Sequence, residues 1–119
     1  MWTKYNYEHP ALIGIYCMLP GDGVDPKILE NTFNKILSVW NFKKVWGWDF
    51  PMLAMTAARL NKPEKAIDLL LQDNFKFDQH GLSSGGGPFA YFPANGGLLS
   101  AIAMMAGGWA VALGWNAPG

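Results

Sequence analysis

Apolar and polar residues follow a helical period in two stretches of the chain. From Pro26 to about Val39, apolar residues recur every three or four positions with Lys, Glu and Asn between them, which predicts an amphipathic helix. Asp25 precedes it as the expected N-cap, and Pro26 suits the first helical position. A second amphipathic helix is predicted from Pro63 to about Gln72, with its acidic and basic side chains on the outer face.

Two further helical stretches have almost no polar face. One is predicted to end near Leu60, with Asp49 as its cap and Pro51 in its first turn. The other is predicted from Gly96 to about Ala112, with Asn95 as its cap, and it has no charged position. A helix that is apolar on all sides is expected to be buried on most of them.

The remaining chain is divided by turn residues. The apolar run Ala11–Leu19 is stopped by Pro20 and Gly21, and it predicts a short buried helix, with a strand as the alternative. Residues 74–94 form a long loop that includes the Gly-rich run Ser83–Pro88, and a loop of this length is usually functional or mobile. The run lacks the Lys-Ser/Thr ending of a phosphate loop, so nucleotide binding is not expected.

Amphipathic helices therefore alternate with wholly apolar ones. This pattern predicts an all-α fold of antiparallel helical hairpins, in which outer helices wrap inner ones as in part of an (α/α)6 toroid. Residues 1–119 are expected to form a single domain. Because two helices buried on all sides need more neighbours than this chain offers, we expect absent sequence or other copies of the chain to cover the missing surface.

Charge is distributed very unevenly. The nine basic and nine acidic residues all lie within the first 78 positions, and residues 81–119 carry none. That segment must be covered by core, a partner or lipid. The formal net charge is zero and no basic block is present, so a nucleic-acid partner is not expected. Leu98–Ala112 is shorter than the roughly 20 residues that span a bilayer, so a membrane helix is not expected either.

The metal-binding residue types do not cluster. Cys17 is the single cysteine, which excludes a disulfide framework. His9 and His80 have no Cys or His partner at the spacing of a metal site. No metal and no cofactor are therefore expected.

Three stretches in order carry a resemblance to a known family: His9–Gly21, Trp46–Leu60 and Phe92–Met105. They resemble the C-terminal part of the six-hairpin glycoside hydrolases with an (α/α)6 toroid, and most of all the inverting α-L-fucosidase type, glycoside hydrolase family ninety-five, with its uncharacterised relatives. The resemblance implies a toroid fold, a carbohydrate-binding cleft and a position near the C-terminal end of a catalytic domain. A secreted glycosidase would place it in the periplasm or outside the cell, but the sequence does not fix the compartment.

Two departures limit what the resemblance implies about chemistry. Pro93 stands where the family has the Asp that assists the attacking water, and the family's general-acid Glu lies upstream of the matching region. The chain is therefore expected to line the cleft of a glycoside hydrolase without being active alone. The rest of the parent chain, or further copies, would complete it.

Five residues are the candidates for carbohydrate binding. Trp46 and Trp48 can stack on a sugar, although packing between helices is the alternative. Asp49 and Asn95 can each bond a sugar hydroxyl or only cap a helix, and His9 can do so or be structural. The catalytic residues are unknown, and Asp49 is the one candidate for a catalytic carboxylate.

Two other hypotheses compete with this one. The chain can be a noncatalytic helical module that self-associates through its uncharged C-terminal third. It can also be membrane-associated, in which case it would need detergent to stay in solution.

Overall fold

The computed structural model describes residues 2–84 and 89–109, and the regular structure within them is helical. A 3-10 helix, Ala11–Tyr16, is followed by four α-helices: α1 (Pro26–Val39), α2 (Asp49–Arg59), α3 (Pro63–Leu70) and α4 (Phe92–Gly107). Among the described residues, strand-like pairing is limited to one antiparallel bridge between Phe77 and Ser83. The all-α prediction is confirmed.

Helix α1 begins and packs as its pattern predicts. The carboxylate of Asp25 accepts hydrogen bonds from the backbone N–H groups of Lys27 and Ile28, at 2.7 and 3.3 Å. Pro26 occupies the first helical position, where its missing N–H costs nothing. The inward face repeats at helical spacing and consists of Leu29, Phe33 and Ile36.

Helix α2 is the centre of the fold. Every residue from Asp49 to Ala58 is buried, and the 3-10 helix, α1, α3 and α4 all contact it. It ends in a Schellman motif, because Asn61 adopts a φ of 58° and the N–H of Lys62 bonds the carbonyl of Ala57 at 2.9 Å. The predicted burial of this helix is confirmed, and its neighbours come from this chain.

Helix α4 departs from prediction in its bounds and its burial. It begins at Phe92 rather than Gly96 because Pro93 fits the first turn, and the predicted end at Ala112 lies outside the described residues. One face, which includes Ala94 and Ala101, packs inward. The opposite face is open, with Leu99 69% exposed. Burial on most sides is therefore wrong for the described part of this helix.

The 3-10 helix also differs from the predicted buried helix. It covers only Ala11–Tyr16, and Ile13 is its one buried residue. Arg59 holds the segment after the 3-10 helix by donating hydrogen bonds to the carbonyls of Leu19 and Pro20 at 2.5 and 2.6 Å. The guanidinium also lies 3.8 Å from the ring centre of Tyr16. These contacts tie the end of α2 to this segment.

Within residues 2–84 and 89–109, no helix has both the length and the apolar character needed to cross a membrane.

Candidate functional site

An open groove lies over the N-terminal end of α2, between the 3-10 helix and the start of α4. Its volume is about 500 Å³, within the roughly 300–1,000 Å³ of small-molecule sites. The lining combines two aromatic rings and an imidazole with small or apolar groups: His9, Ala11, Gly14, Trp48, Met52, Tyr91 and Pro93.

A histidine–carboxylate pair stands at the edge of the groove. The Nδ1 atom of His9 lies 2.6 Å from Oδ1 of Asp49. The other carboxylate oxygen of Asp49 accepts the backbone N–H of Trp46 at 2.9 Å. Asp49 is fully buried, whereas the side chain of His9 is 47% exposed.

The predicted capping role of Asp49 is wrong. Trp48 is the N-cap of α2 and Asp49 is the first helical residue. The carboxylate bonds backward to Trp46 and sideways to His9 because the chain turns there before the helix begins. Both of its oxygens are therefore used to organise the groove edge.

The electrostatics of Asp49 are set by opposing effects. Burial raises the pKa of this carboxyl above its ordinary value, and the charge of Glu8 acts in the same direction. The hydrogen bond from His9, its positive charge when protonated, and the Trp46 N–H all oppose the rise. The pKa of Tyr91 is also raised, first by burial and then by the charge of Asp49.

Three rings form a continuous row behind the groove edge. The ring centres of His9 and Trp46 are 5.9 Å apart, and those of Trp46 and Tyr91 are 5.3 Å apart. Trp46 thus packs between the two residues that line the groove. Trp48 instead lines the groove directly.

Gly97 allows α4 to pack closely against Trp48. A Cβ at Gly97 would lie 2.6 Å from Cε3 of Trp48 and 2.7 Å from Cγ of Pro51, which is closer than real Cβ contacts. Only glycine allows this approach, so Gly97 fixes the position of Trp48 relative to the start of α4. The close contact holds one wall of the groove in place.

Asn95 has a different place from the one predicted. It lies in the first turns of α4 rather than at a cap. Its side-chain oxygen accepts the N–H of Ser83 at 3.2 Å, and its amide donates to the carbonyl of Gly81 at 2.6 Å. The carboxamide therefore fastens the long loop to α4 and does not line the groove.

The sequence predicted His9 and Asp49 at the polar end of the groove but missed most of the residues that line it. Of the five predicted residues, His9 and Trp48 line the groove. Asp49 bonds to His9 and Trp46 packs beside it, whereas Asn95 does not line the groove. Tyr91, Gly14 and Met52 were not predicted as site residues. Tyr91 lies immediately before the start of the apolar helix α4. This position next to Phe92 and Pro93 is the sequence feature that could have identified it as a site residue.

The described residues contain no group of three or more His, Cys, Asp or Glu side chains arranged to hold a metal ion.

Comparison of the chain with protein-family models, with curated proteins and with solved structures gave no match in any of the three.

Proposed function

We propose that this chain lines the carbohydrate-binding cleft of a glycoside hydrolase, as the C-terminal segment of its catalytic domain, and that it is inactive alone. One observation carries the proposal. An aromatic-lined groove of about 500 Å³ ends at a half-exposed imidazole held by a buried carboxylate.

The composition of the groove suits a neutral sugar. The apolar C–H faces of a pyranose pack on aromatic rings, and Trp48 and Tyr91 offer such rings on one groove. The hydroxyl groups need a few placed polar partners, and His9 supplies one. The lining includes no Lys or Arg, so a phosphorylated or acidic ligand would find no counter-charge there.

Hydrolysis needs more than this groove contains. Glycosidases commonly use two carboxyl groups, one acid and one base or nucleophile. The lining residues include no carboxylate, and Asp49 lies behind His9 with both oxygens engaged. We therefore assign binding to this segment and the acid–base chemistry to the rest of the parent chain.

The open face of α4 supports a place in a larger ring of helices. Phe92, Leu99 and Ile102 are exposed at 65%, 69% and 52%, and no charged residue lies among them. In a toroid the neighbouring helical hairpin would cover this face. The same exposure favours the second candidate function, a noncatalytic module that self-associates through α4.

The binding proposal is tested by filling the groove. Gly14 lines it, and a Cβ there would make only an ordinary contact, 3.7 Å from Sδ of Met52, so Gly14→Leu places new bulk in the groove. Gly96→Leu is the matched control, because nothing lies within 4 Å of a Cβ at that position. Saturation-transfer NMR would follow methyl α-L-fucopyranoside, methyl β-D-galactopyranoside and methyl α-D-glucopyranoside.

The expected result is that the unmodified chain and Gly14→Leu differ, while Gly96→Leu behaves like the unmodified chain. At least one glycoside should bind with a Kd of roughly millimolar order, as for a single sugar unit, and Gly14→Leu should abolish that binding. Equal binding by both variants, or no binding of any glycoside by the unmodified chain, would overturn the proposal.

A further inference from the structure

The tautomer of His9 follows from its partner. Nδ1 of His9 lies 2.6 Å from Oδ1 of Asp49, and Oδ2 of that carboxylate accepts the Trp46 N–H. Above its pKa, the Asp49 carboxyl is ionised and only accepts hydrogen bonds. His9 is therefore the donor in this contact, and the proton of the neutral imidazole resides on Nδ1.

The other ring nitrogen is available to a ligand. Nε2 of His9 makes no hydrogen bond with any residue in the described ranges 2–84 and 89–109. The side chain is 47% exposed and lines the groove. In the neutral imidazole with its proton on Nδ1, Nε2 carries a lone pair.

We infer that His9 accepts a hydrogen bond through Nε2 from a hydroxyl group of the bound sugar, and that Asp49 is the positioning residue that fixes the imidazole in this tautomer. The inference rests on the proposed function and adds a specific role to one contact within it.

The surroundings of His9 favour such a contact. Ala11, Met52 and Pro93 line the same groove and offer no side-chain hydrogen bond. The polar groups of the lining are therefore the imidazole of His9, the hydroxyl of Tyr91 and the indole N–H of Trp48. Trp46 supports the ring from the side, at 5.9 Å between ring centres. A hydroxyl donor satisfies Nε2, whereas a purely apolar ligand would bury it without a partner.

One substitution reverses the tautomer with little change in shape. In Asp49→Asn, the side-chain amide oxygen keeps the hydrogen bond from the Trp46 N–H, since the amide NH2 group cannot accept that bond. The NH2 group then faces His9 and donates to Nδ1. The imidazole proton moves to Nε2, which becomes a donor, and the lone pair toward the groove is lost.

Long-range 1H–15N spectra of the labelled chain would read the tautomer directly. The chain has two histidines, and His80 serves as the internal reference because it lies in an exposed turn. At a pH where the ring is neutral, His9 should show the Nδ1–H form. Adding whichever of the three methyl glycosides binds should shift Nε2 of His9 and leave His80 unchanged.

For Asp49→Asn, the expected result is the Nε2–H form of His9, in which the sugar hydroxyl at Nε2 has to accept the hydrogen bond instead of donating it. A purely structural role for Asp49 would lower stability without reversing the tautomer. The measurement on the unmodified chain decides the inference even if this variant does not fold.

The outcomes separate this inference from the proposed function. Glycoside binding with no change at His9 Nε2, or an Nε2–H form in the unmodified chain, overturns the inference and leaves the carbohydrate cleft standing. If none of the three glycosides binds, both the inference and the proposed function are overturned.

Discussion

Helices α2 and α4 have similar amino-acid compositions, but α2 is buried and α4 is partly exposed. Both are rich in Ala, Met and Leu, and neither has an amphipathic pattern with a charged outer face. Helix α2 is buried from Asp49 to Ala58, whereas α4 exposes Leu99 and Ile102 at 69% and 52%. This chain therefore covers the apolar surface of α2 but leaves one apolar face of α4 exposed.

The difference shows what an apolar helix does and does not reveal. Its composition indicates that covering is needed, because exposed apolar surface forgoes about 25 cal/mol per Å². It does not indicate where the covering comes from. Helix α2 obtains it from four other helical elements of this chain, while the outer face of α4 is exposed.

The largest expected effect comes from truncating one leucine in each helix. Leu53 is fully buried and Leu99 is 69% exposed. Leu53→Ala should lower the free energy of unfolding by about 2–5 kcal/mol because it leaves a cavity, whereas Leu99→Ala should change it by no more than about 0.5 kcal/mol. Urea denaturation measures both. A cost for Leu99→Ala close to that for Leu53→Ala would show that α4 is covered in solution.

Two neighbouring glycines of α4 give a second, smaller contrast. A Cβ at Gly97 would clash with Trp48 and Pro51, while a Cβ at Gly96 meets nothing within 4 Å. Gly97→Ala should therefore destabilise the chain by about 1–3 kcal/mol through overpacking, and Gly96→Ala should stabilise it by about 0.5–1 kcal/mol through helix propensity. Thermal unfolding of both variants checks the signs. Stabilisation by Gly97→Ala would contradict the close packing of α4 on Trp48.

The third contrast concerns association. Ile102 on α4 is 52% exposed, and Ile28 on α1 is 65% exposed beside charged residues. If the isolated chain covers α4 with a second copy, Ile102→Lys should shift it to the monomer, because a charge at the centre of an apolar interface is costly. Ile28→Lys should have no effect. Light scattering after size exclusion decides; an identical response of both variants would remove α4 as the contact surface.

The smallest expected effect is the pH dependence at the start of α2. Burial raises the pKa of Asp49 above its ordinary 3.8, so its contribution to stability is complete below that pH and is lost as pH rises through the raised pKa. Asp49→Asn does not titrate. The melting temperature of the unmodified chain should fall relative to this variant over that window, with His9, Glu8 and Tyr91 the nearby titratable groups in both. A constant difference would contradict the burial of this carboxyl.

The fold was predictable where local chemistry decides it. The Asp25-Pro26 start of α1, the apolar character of α2 and the Pro63 start of α3 are encoded in neighbouring residues, and the structure confirms them. The start of α4 was missed because Asn95 is as suitable a cap by composition as any residue near it. Its real partners, Ser83 and Gly81, are distant in sequence.

The site was predictable in part for the same reason. His9 and Asp49 were each singled out, but their contact joins positions 40 residues apart, which no local pattern encodes. Trp46 and Trp48 were predicted as equivalent platforms. Only packing distinguishes them, since Trp46 lies between His9 and Tyr91 while Trp48 lines the groove and contacts the region of Gly97.

The central claim is that the groove over the start of α2 receives a sugar. The most direct test is a titration of the 15N-labelled chain with the three methyl glycosides, followed at the indole N–H signals of Trp48 and Trp109. Trp109 is the control because it is not among the lining residues of the groove. Its indole donates to the carbonyl of Cys17, and its ring lies near Arg59 at the opposite end of α2. The expected result is a saturable shift at Trp48 and none at Trp109. An unchanged Trp48 signal with every glycoside, or equal shifts at both indoles, would contradict it.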